Sequence, residues 1–286
     1  MIHVMSFAKG SPFEKYQKIN EYTAKIIGGA NNVFKYTFKD IPEDYIKKHR
    51  NIFSYGRGAG LWLWKPYLVT RTLEIINEGD WLFYNDAACF FVGRIKSLVD
   101  FAEKKNKSML MFELPLLNRQ FCKRECYEYL GIKDNGENQV VGTYFLIKKT
   151  PDTVKIMKEW LSLCEREELI SPNRMRLDID EFPDFFSHRE DQSLLSLICL
   201  KYGISLHKEC SNFAIFPYEY CYKEFVYNPH IYPDDSYGVI LISHRASNPY
   251  WYLLHFLKMT LLKKLKIKYT EKEAVDNPKS FLCNAQ

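Results

Sequence analysis

Apolar and polar positions along the first two thirds of the chain follow two alternating rhythms, a period near two and a period near 3.6, and that alternation predicts an α/β protein built on a mostly parallel sheet. Residues 2–8 read as an opening strand, 13–27 as a helix stopped by Gly28 and Gly29, and 33–38 as a second strand. Pro66 suits a helix start, and Val69, Leu73 and Ile76 share one face until Gly79 and Asp80 close the element. The run Trp81-Leu82-Phe83-Tyr84 is too short for a helix and apolar throughout, as expected of a central strand covered on both faces.

The alternation continues with a helix over 95–105, a strand over 109–113, a helix over about 119–130 and a strand over 140–147. Thr150 and Pro151 then cap a helix carrying Val154, Met157, Leu161 and Cys164. Residues 170–187 show no period and read as a long surface loop. Ser187 and Glu190 form a capping-box pattern that opens a helix through about Tyr202. The stretch 205–238 is irregular and aromatic, 239–243 reads as a last strand, and 251–269 as a helix of different character. The expected organisation is one domain over 1–250 with a C-terminal appendage over 251–286.

Composition agrees with a globular enzyme-sized chain. The 286 residues are 47% apolar and 16% aromatic, enough for a large core, and collagen-like, coiled-coil and disordered classes are excluded. A formal charge of +5 is too mild to demand a polyanionic partner. No charged leader precedes an apolar stretch and no apolar run approaches bilayer length, so the expected location is the cytoplasm. Eight cysteines without a C-x-x-C pair read as reduced, mostly buried thiols, and no Cys/His spacing suggests zinc.

Candidate chemistry gathers where loops follow predicted strands. Asn85 and Asp86 end the apolar run, at the carboxyl edge where open sheets bind ligands, and a carboxylate there needs a cation, a metal, backbone N–H groups or a ligand hydroxyl. Upstream, Arg57-Gly58-Ala59-Gly60 precedes Trp62, Trp64 and Lys65; three glycines from Gly56 to Gly60 allow close backbone approach, and the following helix start would aim N–H groups at a diphosphate. A structural turn is the competing reading. Asp191 and Gln192 fall in the first turn of a helix, and His244 and Arg245 follow the last strand as candidate phosphate or metal contacts. No Ser, Cys and His arrangement suggests a nucleophilic triad.

Taken together, Gly58-Ala59-Gly60-Leu61-Trp62-Leu63-Trp64-Lys65-Pro66, then Gly79-Asp80-Trp81-Leu82-Phe83-Tyr84-Asn85-Asp86-Ala87, resemble the GxWxWKP and GDxxxYxDAG(C) stretches of bacterial capsule and lipopolysaccharide glycosyltransferases of the GT-A fold. Val141-Gly142-Thr143-Tyr144-Phe145-Leu146 and Asp191-Gln192-Ser193-Leu194-Leu195-Ser196 extend the resemblance over about residues 1–250. It implies a Rossmann-like mixed sheet flanked by helices, and transfer of a hexose-type sugar from a nucleotide sugar, UDP-linked by preference, to a glycan or lipid-linked glycan. Asp86 would stand for the first carboxylate of a D-x-D motif. Ala88 replaces the last, which leaves Mn²⁺ or Mg²⁺ dependence open, with Asp86 and His244 as the remaining ligands.

On the same resemblance, Arg57, Gly60, Trp64, Lys65, Asn85, Asp86, His244 and Arg245 would bind the donor and its diphosphate. Asp191 and Gln192 would flank the donor sugar, with retention of configuration preferred; an inverting enzyme would use Asp191 or Glu113 as base. The segment 251–269 holds five lysines and no acid among apolar and aromatic residues, and predicts a basic amphipathic helix at an anionic membrane surface, on the inner face of the cell membrane. The competing readings are a helix docked on the core, a sugar nucleotidyltransferase, and a non-catalytic carbohydrate- or membrane-binding protein with a degenerate D-x-D motif.

Overall fold

The computed structural model describes residues 1–216, 225–245 and 247–265. Its centre is a seven-stranded mixed sheet flanked by helices. Strands β1 (Ile2–Ala8), β2 (Asn32–Thr37) and β3 (Trp81–Asn85) pair in parallel in the order β2-β1-β3. A short β4 (Cys89–Phe91) follows outside this sheet. The main sheet continues through β5 (Met109–Leu117), β6 (Asn138–Val140), β7 (Tyr144–Lys148) and β8 (Leu206–His207). In it β7 is antiparallel to β3 and β5, β6 is antiparallel to β5, and β8 is parallel to β5, so only β6 and β7 run against the other five strands. That matches the mostly parallel sheet expected from the sequence.

The apolar run of β3 is buried on both faces because helices cover both. Leu82 and Tyr84 join Leu68, Val69, Leu73, Met157, Trp160, Leu194 and Leu195 in one core, contributed by the helices Trp64–Ile75, Pro151–Cys164 and Glu190–Lys201. Trp81 and Phe83 point the other way, toward Leu98, Phe101 and Ala102 of the helix Lys96–Lys104. Strand alternation thus divides consecutive residues between two cores.

Four expected elements differ from the observed ones. The helix over 119–130 is two pieces, Asn118–Phe121 and Arg124–Leu130, because Cys122 between them is extended. The strand over 140–147 is interrupted between β6 and β7: Val141 N–H still bonds Phe112 O at 2.8 Å, and Gly142 then leaves the ladder. Ser187 does not cap the helix that opens at Glu190. Its N–H bonds Gln120 O at 3.1 Å, and the start is closed by Ser193, whose Oγ accepts from the N-cap Arg189 N–H at 2.9 Å. The last strand, β9 (Leu241–Ser243), is not part of the main sheet but pairs antiparallel with β4, which the sequence reading missed.

The terminal helix spans Pro249–Lys264. The rest of the expected appendage, 266–286, lies outside the described residues, as do Cys221 and Cys283. The six described cysteines are free and buried, as the reading of reduced thiols expected.

Candidate active site

The carboxyl end of β3 meets the start of the helix Glu190–Lys201 around one buried ammonium. Lys65 is 3% exposed, and its Nζ lies 2.8 Å from Asp191 Oδ2 and 3.0 Å from Gly142 O, to which it donates. A lysine can be this deep only if its charge is matched. Burial opposes that charge, but Asp191 and Asp86 outweigh it and hold Lys65 above its ordinary range.

Asp86 stands at the edge of this group, partly accessible, and accepts from Tyr84 Oη at 2.5 Å while its own N–H bonds Thr143 O at 2.9 Å. Burial raises its carboxyl above the usual range, and Lys65 and the Tyr84 hydroxyl pull it back down. Asp191 is raised to about 6 by burial, against the pull of Lys65. Tyr84 is held well above its ordinary range by burial and by Asp86. Two acids, a phenol and an ammonium therefore share one compartment, and the ammonium is what allows both acids to ionise there.

The break in the sheet at Gly142 has a reason in this site. A Cβ on Gly142 would lie 3.0 Å from Gln192 Cβ and 3.1 Å from Gln192 Oε1, so glycine leaves room for Gln192 while its carbonyl turns to Lys65. Gln192 Nε2 donates to Gln139 Oε1 at 3.1 Å, and the same oxygen accepts from Arg189 Nη1 at 3.2 Å. Trp160 Nε1 donates to Asp191 O at 2.9 Å and fixes the helix start from below.

A second ion pair walls the compartment. Arg57 Nε donates to Glu190 Oε1 at 2.6 Å; the arginine is exposed and lies 5.5 Å from the Trp62 ring centroid, whereas Glu190 is buried. Glu190 entered the sequence reading only as half of a capping box. No local signal separates a capping glutamate from one that grips an arginine 133 positions away.

The glycine-rich segment takes an unexpected form. Gly58, Ala59, Gly60, Leu61 and Trp62 all have positive φ, +59°, +54°, +99°, +53° and +59°, and make a left-handed turn. Non-glycine residues resist this conformation by about 1–2 kcal/mol each, so the surroundings must impose it, and such strain concentrates at functional sites. The N–H groups do not point outward to a ligand, as the sequence suggested. Those of Ala59, Gly60, Leu61, Trp62, Leu63 and Lys65 bond the chain's own carbonyls at 2.8–3.2 Å. The glycines are needed instead for close packing: a Cβ at Gly60 would lie 2.6 Å from Phe53 Cδ1, and one at Gly58 2.2 Å from Trp62 Cε3. Gly60→Ala should therefore cost about 2–4 kcal/mol, from the strained φ and the overpacking together, measured as a lower denaturation midpoint with unchanged slope.

The remaining predicted residues are scattered around this centre. Trp64 is a core residue, stacked on Phe7 with centroids 3.9 Å apart and donating Nε1 to Gly58 O at 2.9 Å. Asn85 is fully buried, its Nδ2 donating to Asp86 O at 2.9 Å. The β4–β9 pair brings His244 opposite Ala88, where its N–H bonds Ala88 O at 3.0 Å; its ring is buried, donates Nδ1 to Ser247 O at 2.7 Å and packs edge-on against Tyr16. Arg245 is exposed, with its guanidinium 5.1 Å from the Phe213 ring centroid. Glu113, in the middle of β5, accepts from Asn138 Nδ2 at 2.9 Å and from His230, and lines a cavity of about 560 Å³ with Tyr232 and Ser196.

These donors do not fit a hard divalent cation at Asp86. Asp86 and Asp191 share a buried ammonium, which pairs with Asp191, the methyl of Ala88 offers nothing, and the His244 ring has one nitrogen engaged with Ser247 O. Among the described residues, the one trio of His, Cys, Asp or Glu atoms with metal-ligand proximity does not include Asp86.

No family model matches the chain, and no curated protein matches it. Among solved structures it is similar to mouse xyloside xylosyltransferase 1 in its apo form, at 10% identity and a TM-score of 0.47, over 87% of this chain and 99% of that one. It is also similar to a glycosyltransferase involved in glycosylation of the major capsid of PBCV-1, at 13% identity and 0.42, over 90% and 98%. A third is the galactosyltransferase LgtC in complex with donor and acceptor sugar analogs, at 13% identity and 0.46, over 90% and 94%. At identities under 25% and TM-scores under 0.5, such likeness does not carry activity or substrate from one protein to another.

Proposed function

We propose that this chain is a glycosyltransferase that takes a hexose-type sugar from a nucleotide-sugar donor, preferably a UDP-sugar, and passes it to a glycan or lipid-linked glycan in surface polysaccharide synthesis, with retention of configuration. The observation that carries this reading is the convergence of Asp86 and Asp191 on Lys65, with Gln192 packed beside Gly142, at the carboxyl edge of the sheet. Those are the residues for which the sequence resemblance implies donor contacts, and they are far apart in the chain.

In this reading Asp86 contacts the donor at the rim. Asp191 and Gln192 stand below the sugar, where a carboxylate favours the positive charge that develops as the glycosidic bond to phosphate breaks. The departing diphosphate gathers negative charge, and Arg57, the exposed cation of this group, meets it, with Arg245 as a second candidate. Lys65 has a different task from the one the sequence suggested: committed to Asp191 and Gly142, it sets the charge state of the acids instead of reaching for phosphate. The reading needs no metal step.

A thermal-shift screen of UDP, GDP and their sugars tests it, since a ligand that binds only the folded state raises Tm by mass action. At ligand concentrations of about 100 times Kd the stabilisation is about 2.7 kcal/mol. No shift with any nucleotide, together with no steady release of nucleoside diphosphate from its sugar, would sink the assignment. Release of pyrophosphate would point to the nucleotidyltransferase alternative.

Membrane attachment is part of the proposal. No helix among the described residues is long and apolar enough to cross a membrane. The terminal helix docks on the body through Tyr252, whose Oη accepts from Asn212 Nδ2 at 2.9 Å, and through Phe256 against Phe216. Yet Trp251, Leu254, Leu257, Leu261 and Leu265 are each more than half exposed, at helical spacing, with Lys258 and Lys264 also exposed. This fits an interfacial helix on anionic lipid. Leu257→Ser combined with Leu261→Ser keeps the docking contacts, and should weaken co-sedimentation with phosphatidylglycerol vesicles about tenfold or more, a buried leucine being worth about 1.5–3 kcal/mol. Undiminished binding would reject the anchor.

A further inference from the structure

The break at Cys122, between the helices Asn118–Phe121 and Arg124–Leu130, points a thiol inward where Cys126, in the first turns of the second helix, points another. His188, two residues before the helix Glu190–Lys201, closes the group. The ligand atoms of these three side chains all lie within 4.8 Å of one another, and all three residues are at least nine-tenths buried. Their present partners are weak. Cys126 Sγ is 3.5 Å from Leu169 O and also interacts with the Cys122 thiol, Cys122 Sγ is 3.7 Å from Lys123 O, and His188 takes a 3.3 Å contact from Lys123 N–H at Nδ1 while its ring lies toward the Leu169 backbone, with no well-formed hydrogen bond at Nε2. Three good donor groups held together in the interior, bonded only to one another and to nearby backbone at long distances, are better satisfied by a ligand that all three can bind.

We infer that Cys122, Cys126 and His188 form a structural zinc site. Two thiols and an imidazole are soft and borderline donors that exclude Mg²⁺ and Ca²⁺ and suit Zn²⁺. Charge decides against a monovalent soft ion. On binding, Zn²⁺ displaces the two thiol protons, which pass to solvent, and two thiolates neutralise the dication, so the loaded site buries no net charge; Cu⁺ would leave one uncompensated negative charge. The neighbouring buried cation, Lys123, is already matched by Glu125 at 2.6 Å and donates to Glu168 O and Asn173 O, each at 2.8 Å. The Leu169 carbonyl, which faces the Cys126 thiol, is released from that contact when the thiol proton leaves.

The site has a place in the architecture. It joins the helix break, the turn at Glu167–Ile170 and the segment that leads into Arg189, Glu190 and Asp191, so the metal would clamp the long 171–189 loop at both ends. None of this depends on what the Asp86 compartment catalyses.

The test is metal content of the full chain, grown with added zinc, purified without chelator and read by inductively coupled plasma mass spectrometry. About one zinc per chain is expected, because structural zinc sites bind tightly enough to survive purification. Cys126→Ser and His188→Gln should each fall below about a tenth of that, while Cys199→Ser, which removes a buried thiol outside the group, should keep it. Cobalt added to the stripped protein should produce a thiolate-to-cobalt charge-transfer band that the Cys126→Ser protein lacks. Folded wild-type protein with no more zinc than background overturns the inference, whether or not the variants fold. So does thiol titration of the denatured chain, without reductant, that finds Cys122 and Cys126 joined as a disulfide.

Discussion

Asp86→Ala should lower donor turnover by about 100- to 1,000-fold, the usual cost of removing one preorganised charged group from a reacting centre, while leaving the fold intact. The two halves of this expectation have separate causes. Burial raises the Asp86 carboxyl above its ordinary range, so folding pays to place a charge there and alanine relieves that penalty. What is lost in exchange is the attraction of Lys65, which keeps Asp191 as its direct partner, and one hydrogen bond from Tyr84, worth about 1 kcal/mol. The melting temperature should accordingly stay within a few degrees of wild type. Release of UDP or GDP measures the first half and calorimetry the second. Activity retained within threefold of wild type, with an unchanged Tm, would remove Asp86 from the mechanism; a collapsed Tm would show that it is structural.

Lys65→Met should destabilise the protein by about 3–5 kcal/mol, because it leaves Asp191 buried without its counter-ion. Lys65→Met combined with Asp191→Leu should recover much of that loss, since two apolar residues of similar size no longer bury an unmatched charge. If the double variant is no more stable than the single one, the pair is not energetically coupled. The same pair has a pH signature. Asp191 titrates at about 6 in the folded protein and near the ordinary carboxylate value, about 4, in the unfolded chain, so between these limits the folded state holds the extra proton. Stability therefore falls as pH rises from about 4 to 6 and is flat in this respect above 6. Turnover runs the other way: if the ionised carboxylate serves the reaction, kcat/KM declines below about pH 6. Urea titrations across that range should lose the slope in Asp191→Asn, and turnover in that variant should lose its acidic limb.

Much of the framework was legible in the chain because it is written in short-range periodicity. The apolar run before Asn85 announced a central strand, and the abrupt polar end announced the edge at which Asp86 stands. Asp191 and Gln192 were placed correctly in a first helical turn, although the cap itself is made by Ser193 and not by Ser187. Trp62 and Trp64 were harder, because a tryptophan that stacks on a ligand and one that stacks on Phe7 look alike in a sequence.

The left-handed turn was not legible. Glycines there suggested an open backbone, whereas Phe53 and the Trp62 ring fill the space beside them and every N–H from Ala59 to Leu63 is spent within the chain. Nor did the cysteine spacing reveal that Cys122 and Cys126 meet His188, since the third group arrives from beyond four intervening elements.

By itself the sequence determined which segments are strand or helix, which faces are apolar, and that acids follow the central strand and open a late helix; these depend on residues within a turn or two of one another. Only the tertiary structure decided that Lys65 is an interior counter-ion, that Arg57 grips Glu190, and that Gly142 makes way for Gln192. The reason is that matching a buried charge requires a partner from wherever the fold supplies one, and distance along the chain says nothing about that choice.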